Sequence, residues 1–384
     1  MIDPQRKKIA DSTQLVVIKI GTRVLTRADN RLEETRIADL VGQLANIHSS
    51  GKQVILVSSG AVGAGLSRLD LQQRPSDVAR LQAIAAIGQT HLMETYDRAF
   101  RQFDLHAAQV LLTAEDLQNR TRYLNVRNAL RSLLDFGSIP VINENDTVAV
   151  DELVTTFGDN DHLAALVANL IDAPLLVMLS HVDGLYDGPP ESESSQIVDT
   201  VDSFDEKTWS LVRDTQSETT KGGMLSKLQA AQMMVQAGQN AIIAGGRVPK
   251  ILTRLMQGES LGTLILSQGK GIPSRKRWIG FSSPPVGHLT VDDGANQAIC
   301  QSGKSLLAIG ITAASGEFSK GDIVAIVNGN EREIARGLCN YSYEELQRII
   351  GLKSDRIADV LGHCPYDEVV HRDNLTVLES QATS

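Results

Sequence analysis

The feature that most constrains this chain is a regular alternation of short apolar runs with longer amphipathic stretches, between Leu15 and Ser267. The apolar runs are rich in β-branched residues and read LVVIKI, QVILVS, AAQVLLT, IPVIN, PLLVMLS and NAIIAGG. Amphipathic stretches such as EETRIADLVGQLANIH and NVRNALRSLLDF separate them. Apolar strands alternating with helices are typical of a parallel sheet covered on both faces. We therefore predict a doubly wound, mostly parallel open α/β sheet, whose ligands bind beyond the carboxyl ends of the strands.

The alternation stops near Gln268. The next stretch, SQGKGIPSRKRWIGFSSPP, is rich in glycine, serine, proline and basic residues, which favours a linker. Short β-like runs follow, with one helical stretch, YEELQRIIG, among them, and together they predict a small, mostly β second domain. The predicted division is 1–272 for the first domain, 273–285 for the linker, 286–376 for the second domain and 377–384 for a tail.

Composition narrows the class of protein. The 384 residues carry 37 basic and 46 acidic side chains, a formal net charge of −9, which argues against a general polyanion binder. The 3 cysteines lie far apart and form no CxxC pair, so we expect no disulfide framework or zinc site, and a reducing cytoplasm as the location. We expect no membrane association, because no stretch is long and apolar enough to span a bilayer.

Polar residues and glycines follow the first two predicted strands. Lys19 lies within the first strand, where an unpaired ammonium would be costly, and Gly21 follows it. Either the lysine points at an anion, with Gly21 letting the backbone approach phosphate, or it reaches solvent from a strand edge. The second strand runs into SSGAVGAG. These glycines favour either an anionic or zwitterionic ligand at a helix N-terminus or close packing of helices.

Two acidic segments follow later. ENDTV, with Asp146, comes after the strand IPVIN and predicts either a contact to a substrate ammonium or an Asx turn. FGDNDHLAALVANL places Asp159, Asn160 and Asp161 at the start of an apolar helix. Helix capping needs only one of these three residues, so the surplus indicates charged chemistry. No histidine or cysteine cluster accompanies them, which disfavours a transition-metal site.

A last pair of segments carries glycines and a lysine. SHVDGLYDGPP follows one strand, and TTKGGMLSKLQAA is expected to open a helix with Gly222 and Gly223 and to carry Lys227 one turn further on. Glycines before a helix that bears a lysine suit a nucleotide phosphate. The alternative is an ordinary exposed lysine on an amphipathic helix.

In their order along one α/β domain, KIGT, SSGAVGAG, INENDTV, GDND, DGLY and GGMLSKLQAA resemble the amino-acid kinase family, most closely its members that phosphorylate glutamate. YLNVRNALRSLL, VINEND and GDND are the most specific of the matching segments. The later part, with VDDGANQAI, GKSLLAIGI, GEFSKGD and IARGLCNYS, resembles a PUA domain. The resemblance implies transfer of the ATP γ-phosphoryl group to the side-chain carboxylate of L-glutamate, with Mg²⁺, as the first step of proline biosynthesis.

The resemblance also implies roles for individual residues. Lys19 contacts the transferred phosphoryl group, Lys227 stabilises the ATP side of the transition state, and Asp161 orients both lysines. No side chain is expected to ligate the metal directly. Asp159 is expected to shape the loop. The glutamate-binding residues are Ser59, Gly60, Asp146 and Asn160. The ATP-binding residues are Lys19, Gly21, Ser180, His181, Lys221, Gly222, Gly223, Met224, Leu225, Ser226 and Lys227.

Two segments depart from the family's usual pattern. Ser180 and His181 stand where threonine and aspartate are common, and Lys221 stands where a smaller residue is common. We expect an altered nucleotide affinity with activity retained, because the three catalytic residues are all present.

The resemblance further implies feedback inhibition by proline, at a site that overlaps the glutamate site, and assembly into a homodimer or homotetramer. Two alternatives stay open: a family member with a different acceptor, and an RNA-binding protein that acts through the PUA-like domain. From Pro284 onward there are 8 basic and 14 acidic residues, a net charge of −6, which argues against nucleic acid as a partner.

Overall fold

The computed structural model describes residues 1–149, 159–190, 192, 194–213, 218–267, 273–363 and 366–378. Most of the predicted tail, from residue 379 onward, lies outside these ranges. The chain divides into two compact units, Met1–Gly271 and Ile272–Ser384. Within the described ranges, no helix has both the length and the apolar character needed to cross a membrane.

The described residues of the first unit form one eight-stranded sheet in the order β3-β4-β2-β1-β5-β7-β8-β6. Its strands are β1 (Leu15–Ile20), β2 (Gln53–Ser58), β3 (Ala107–Leu112), β4 (Ile139–Glu144), β5 (Leu175–Ser180), β6 (Thr200–Val201), β7 (Asn240–Gly245) and β8 (Thr263–Ile265). The strands pair in parallel except for β8, which runs antiparallel to β7. The prediction of a mostly parallel α/β sheet is confirmed.

Helices cover the sheet and supply the connections. They are α1 (Pro4–Ser12), α2 (Thr22–Leu25), α3 (Glu34–Ser49), α4 (Ala61–Arg68), α5 (Val78–Arg101), α6 (Ala114–Gln118), α7 (Arg120–Asp135), α8 (Asp159–Ile171), α9 (Glu206–Arg213), α10 (Glu218–Gln236) and α11 (Ile251–Met256). Every residue of β1, β4 and β5 is buried. Strands covered on both faces need continuous apolar sequence, which explains the uninterrupted runs of the sequence.

The direction of strand addition changes at β1. The chain passes from β1 to β2 on one side and, after β4, returns to add β5 on the other. Loops that leave neighbouring strands in opposite directions create a cleft beyond their carboxyl ends. Two backbone hydrogen bonds hold this edge together: the Gly21 N–H donates to Leu179 O at 3.2 Å, and the Ser59 N–H donates to Ile20 O at 3.1 Å.

The helix that carries Lys227 begins earlier than the sequence predicted. It starts at Glu218, so Gly222 and Gly223 lie within its second turn and do not open it. Glycine costs about 1 kcal/mol relative to alanine inside a helix, which is why the pair indicated a helix boundary. A Cβ added at Gly223 would meet nothing within 4 Å. The glycine therefore leaves open space beside the helix.

The second unit has its own sheet. In its described residues the sheet order is β10-β9-β11-β12-β13, formed by β9 (Gly287–Val291), β10 (Ile311–Gly316), β11 (Ile323–Val327), β12 (Glu333–Leu338) and β13 (Leu375–Val377). Four helices accompany the described part: α12 (Ser274–Arg277), α13 (Asp293–Cys300), α14 (Tyr343–Ile349) and α15 (Ile357–Leu361). A small β-rich second domain is therefore confirmed, with more helix than the sequence pattern indicated.

The segment predicted as a linker has regular structure over part of its length. Helix α12 continues into a π-helical turn, Trp278–Ser282, in which Trp278 and Ile279 are buried. The Thr376 hydroxyl donates to Lys276 O at 2.6 Å, which ties α12 to β13. Glycine, serine and proline dominate the composition of this stretch and indicated an irregular chain, but Trp278 and Ile279 are buried and their turn packs against β12 and β13.

Candidate active site

Three buried charged side chains meet beyond the carboxyl end of β1. Asp161, in the first turn of α8, has its Oδ1 2.7 Å from Lys19 Nζ, while its Oδ2 accepts a hydrogen bond from Lys227 Nζ at 2.9 Å. Lys19, Asp161 and Lys227 are 6%, 1% and 8% exposed. Charges are tolerated at such depth only when they are paired. The three side chains thus form one unit, with a net charge of +1 from two lysines and one aspartate.

The start of α8 and the second and third turns of α10 hold this unit in place. Ser226 donates its hydroxyl to Asp161 Oδ2 at 2.9 Å, and Lys227 Nζ also donates to Gly223 O at 3.0 Å. The first-turn position of Asp161 places its negative charge at the positive end of a helix dipole. The aspartate therefore has both electrostatic and hydrogen-bond support.

The two lysines determine the protonation of Asp161. Burial by itself raises the pKa of this carboxyl, but Lys19 and Lys227 outweigh burial and lower the pKa to about 2. The pKa of Lys227 is also lowered, by burial and by the positive charges of Lys19 and Arg23, while Asp161 opposes these effects. Asp161 is consequently ionised at neutral pH and keeps the two ammonium groups close together.

A chain of buried amides lies beside the charged cluster. Asn160 Nδ2 donates to Ser59 Oγ and to Asn143 Oδ1, both at 3.1 Å. Asn143 Nδ2 in turn donates to Gln89 Oε1 at 2.9 Å. An amide nitrogen has two hydrogens, so these bonds use both hydrogens of Asn160 and fix which face of its amide carries the oxygen. Gln89, on α5, thus orients side chains at the ends of β4 and β2 and at the start of α8.

Two cavities share Thr22, Asn30, Arg74 and Asn160 in their walls. The smaller, of about 150 Å³, is also lined by Gly60, Ala61, Val62, Gly63, Leu66, Asn143 and Asp146. The larger, of about 360 Å³, is also lined by Lys19, Gly21, Arg23, Val24, Thr26, Ser59, Asp161, Leu179, Ser180, His181, Gly223 and Lys227. The charged side chains of the smaller cavity are Arg74 and Asp146, one basic and one acidic. Those of the larger cavity are four basic and one acidic, so it suits a strongly anionic ligand.

The structure brings most of the predicted residues into these walls. Of the residues predicted to bind glutamate, Ser59 lines the larger cavity and the other three line the smaller one. Six of the predicted ATP-binding residues line the larger cavity: Lys19, Gly21, Ser180, His181, Gly223 and Lys227.

The other predicted ATP-binding residues lie elsewhere. Met224 lines a separate apolar pocket of about 20 Å³, beside Val182, Leu185 and Tyr186. Ser226 contacts Asp161, as described above. Leu225 is 40% exposed on α10 and lines none of these cavities. Lys221 and Gly222 belong to α10 and Asp159 to α8, but their side chains lie outside the described set.

Both interpretations of SSGAVGAG are realised, at different glycines. Gly60 has φ +109°, which L side chains rarely adopt, and it lines the smaller cavity. Gly65 packs against α5, where an added Cβ would lie 2.0 Å from Ile84 O. The segment therefore serves the cavity at its start and helix packing further on.

Sequence reasoning missed several residues of the site, among them Arg23, Asn30, Arg74 and Gln89. Arg23 stands two residues after Gly21, so its position beyond β1 was a usable signal. Gln89 lies in the middle of the 24-residue helix α5, on the face that also carries Ala85 and Leu92, so a polar residue within this apolar stripe was a usable signal. Asn30 and Arg74 lie in loops whose course cannot be inferred from periodicity.

The arrangement suits the binding of a phosphate chain and the stabilisation of a phosphoryl group in transfer. Such reactions depend on position and on positive charge around the spreading negative charge of the transition state. Lys19 and Lys227 supply that charge in a largely buried setting. Within the described residues, no group of three or more histidine, cysteine, aspartate or glutamate side chains could hold a metal ion.

Comparison with known proteins agrees with this chemistry. Residues 14–245 match the amino acid kinase family, and residues 287–361 match the PUA domain. A glutamate 5-kinase of Rhodopirellula baltica is 47% identical over 372 residues, covering 97% of this chain and 96% of that protein. The glutamate 5-kinase of Geobacter metallireducens is 45% identical over 374 residues, covering 97% and 100%.

Among solved structures, the carbamate kinase of Giardia lamblia bound to AMP-PNP matches with a TM-score of 0.48 and 16% identity, covering 67% of this chain and 99% of that one. That likeness is too distant to bear on function. Family membership follows from the sequence matches, which extend over nearly the whole chain. The chain belongs to the amino acid kinase family and, within it, to the glutamate 5-kinases, with a PUA domain after the kinase domain.

Proposed function

We propose that this protein transfers the γ-phosphoryl group of ATP to the side-chain carboxylate of L-glutamate, giving L-glutamyl 5-phosphate and ADP, the first step of proline biosynthesis. The observation that carries this proposal is the buried Lys19–Asp161–Lys227 cluster at the wall of a basic cavity, which adjoins a smaller cavity of balanced charge. The near-full-length relatives named glutamate 5-kinase support the choice of acceptor.

The smaller cavity is the proposed glutamate site. Asp146 offers a negative charge for the substrate ammonium, and Asn160 offers an amide held in one orientation by Ser59 and Asn143. Gly60 gives the substrate access to the backbone at the start of α4. These groups would direct the substrate's side-chain carboxylate towards Lys19.

The larger cavity is the proposed site of the ATP phosphates. Gly21, Ser180 and His181 line it along the ends of β1 and β5, and Gly223 leaves room on α10. Met224 stays a predicted ATP contact, but the apolar pocket that it lines with Tyr186, of about 20 Å³, is too small for an adenine ring. Lys221 and Gly222 stay predicted phosphate contacts.

Mg²⁺ is expected to bind at this site together with the nucleotide. Both oxygens of Asp161 already face lysines, so the cavity's buried carboxylate is engaged, and magnesium commonly binds through substrate phosphates with few protein ligands. Bound in that way, the ion neutralises phosphate charge and helps to position the phosphates.

The chemical step needs little from the protein beyond position and charge. The substrate carboxylate is ionised at neutral pH, so it attacks the γ-phosphorus directly, without a general base. Lys19 and Lys227 stabilise the negative charge on the phosphoryl group in transfer, and Asp161 holds the two ammonium groups close together. The bond to the β-phosphate oxygen breaks, and ADP leaves with that oxygen.

The decisive experiment is an acceptor screen. Purified protein with MgATP should release ADP when L-glutamate is added, and should release little with aspartate, acetylglutamate, carbamate or UMP. Turnover with one of the other acceptors and none with glutamate would reject the proposal while leaving the family assignment in place.

Other expectations from the resemblance belong with this proposal. Proline is expected to compete with glutamate, the chain to assemble as a homodimer or homotetramer, and the protein to be cytoplasmic. The −6 charge of the sequence from Pro284 onward supports a role other than nucleic-acid binding for the second unit. A gel-shift assay with RNA over a range of salt concentrations checks whether the second unit binds nucleic acid.

A further inference from the structure

Arg23 and His181 form a pair at the wall of the larger cavity. Arg23 lies on α2, just after β1, and His181 follows β5, the strand next to β1. Arg23 Nη1 is 3.2 Å from His181 Nε2, and both residues line the cavity with Lys19 and Lys227. The neighbouring strands therefore bring together two side chains that lie 158 positions apart in the sequence.

The chemistry of the two groups fixes their protonation. A guanidinium has only donors, so His181 Nε2 must accept the hydrogen bond. The imidazole then carries its proton on Nδ1 and is neutral. Burial, Arg23 and Lys227 all lower the pKa of His181, which favours the same neutral form.

A neutral partner leaves the charge of Arg23 uncompensated. Lys19 and Lys227 share the carboxylate of Asp161. Glu33, which lines a third cavity together with Arg23 and Arg27, pairs with Arg247. Among the residues that the structure describes, Arg23 forms no ion pair with a carboxylate. Its +1 charge therefore adds to the +1 of the lysine–aspartate cluster, and the two reach the same cavity.

We propose that Arg23 binds the phosphates of the nucleotide and that His181 is a positioning residue that holds its guanidinium towards them. The inference rests on the proposed function for the identity of the ligand and adds a residue to its nucleotide site. A histidine serves here because a carboxylate in its place would pair with Arg23 and oppose the incoming phosphates. This gives a physical reason for His181 at a position where the family often has aspartate.

The test measures nucleotide binding without turnover. ADP with Mg²⁺ and, separately, adenosine are titrated calorimetrically into the full-length chain and its variants. Arg23→Gln should raise the ADP Kd about tenfold, as loss of a charged hydrogen bond does, and leave the adenosine Kd unchanged. Arg23→Lys should recover part of the ADP affinity. Arg27→Gln is the matched control, because Arg27 lines the third cavity beside Arg23 but not the larger cavity proposed for the nucleotide.

His181 is tested by loss and rescue. His181→Ala should weaken ADP binding less than Arg23→Gln does, and His181→Gln, which retains an acceptor, should restore it. In turnover, both Arg23→Gln and His181→Ala should raise the KM for ATP more than the KM for glutamate. Thermal unfolding of each variant, compared with the parent chain, shows that the fold is retained.

The outcomes are distinct. An ADP Kd for Arg23→Gln equal to that of the parent chain would overturn the proposal, as would an equal loss in Arg27→Gln, which would indicate a general charge effect. Because ADP binding needs no acceptor, a failed glutamate assay would reject the proposed function and leave this test intact.

Discussion

At the scale of single residues, Asp161 is a buried charge whose position depends on two other charged side chains. It is 1% exposed and contacts two lysines from different elements. An arrangement of this kind could be expected from the sequence, because GDND offers more acidic and amide groups than a helix start requires. The geometry of the cluster could not be predicted from the sequence, because Lys19 and Lys227 lie more than 200 positions apart.

Asp161→Asn should separate capping from catalysis. Asparagine keeps the shape and can still cap a helix, but it removes the charge that holds two ammonium groups together. We expect kcat to fall on the order of 100-fold or more, with the fold retained. Steady-state kinetics and circular dichroism measure the two effects. A variant that turns over like the parent chain would show that Asp161 serves the helix only.

The same carboxylate makes stability depend on pH. Its pKa in the folded protein, about 2, lies below the ordinary value of 3.8. One pH unit of difference is worth about 1.4 kcal/mol, so ionised Asp161 contributes roughly 2 kcal/mol to folding. A lowered pKa gives stability that is present above the unfolded pKa and is lost as pH falls through the folded pKa. Urea unfolding of the parent chain and Asp161→Asn should therefore converge between pH 4 and pH 2.

Asp146 tests the division between the two ligand sites. It lines the smaller cavity and not the larger one. Asp146→Ala should raise the glutamate KM at least severalfold, with a smaller effect on the ATP KM, because in the proposed glutamate site the lost charge faces the substrate ammonium. Kinetics with each substrate varied in turn measure both values. Equal changes in the two KM values would mean that the cavities are wrongly assigned.

At the scale of elements, sequence pattern predicted strands better than helix ends. β1, β4 and β5 are wholly buried, so each is an unbroken apolar run that is easy to recognise. The start of α10 was placed wrongly at its glycine pair, because local propensity favours a boundary there while the helix runs through it from Glu218. Helix limits set by tertiary surroundings are not visible in a single sequence.

The contact between α4 and α5 depends on two glycines. A Cβ at Gly65 would lie 2.0 Å from Ile84 O, and one at Gly88 would lie 1.8 Å from Ala61 O. Both partners are backbone atoms, so Gly65→Ala or Gly88→Ala should destabilise the protein by about 1–3 kcal/mol or more and raise the glutamate KM, since α4 begins at the smaller cavity. Thermal unfolding and kinetics measure these effects.

A matched control for this prediction lies in the second unit. A Cβ at Gly329 would meet nothing within 4 Å, and its φ is outside the left-handed range. Gly329→Ala should therefore leave stability nearly unchanged. If Gly65→Ala and Gly88→Ala behave like Gly329→Ala, the close approach of the two helices is not maintained in solution.

At the scale of the whole molecule, composition correctly indicated two different parts, an alternating α/β part and a later β-rich part. The predicted boundaries remain a prediction, which fragments can test. Because Trp278 and Ile279 are buried in the second unit, a cut after Gly271 should leave a folded fragment with glutamate-dependent turnover. A cut after Pro284 should give a less soluble fragment, since those two side chains lose their surroundings.

Expression, size-exclusion chromatography and ADP release compare the two fragments. If the fragment 1–271 is insoluble or inactive, the first unit depends on the remainder of the chain. If both fragments are equally soluble and active, exposure of Trp278 and Ile279 does not reduce solubility, and the chain can be cut at either position.

The shared carboxylate also limits how this protein can change over generations. Loss of either lysine would leave the other with an altered partner, and loss of Asp161 would leave two buried cations in mutual repulsion. Each single step away from the trio is thus penalised twice, once in folding and once in turnover. We therefore expect these three positions to stay unchanged, whereas the exposed residues Arg23 and His181 of the larger cavity can vary as a pair. If Arg23 binds the nucleotide as proposed, lineages of this enzyme should adapt their nucleotide affinity at Arg23 and His181 and keep Lys19, Asp161 and Lys227 unchanged.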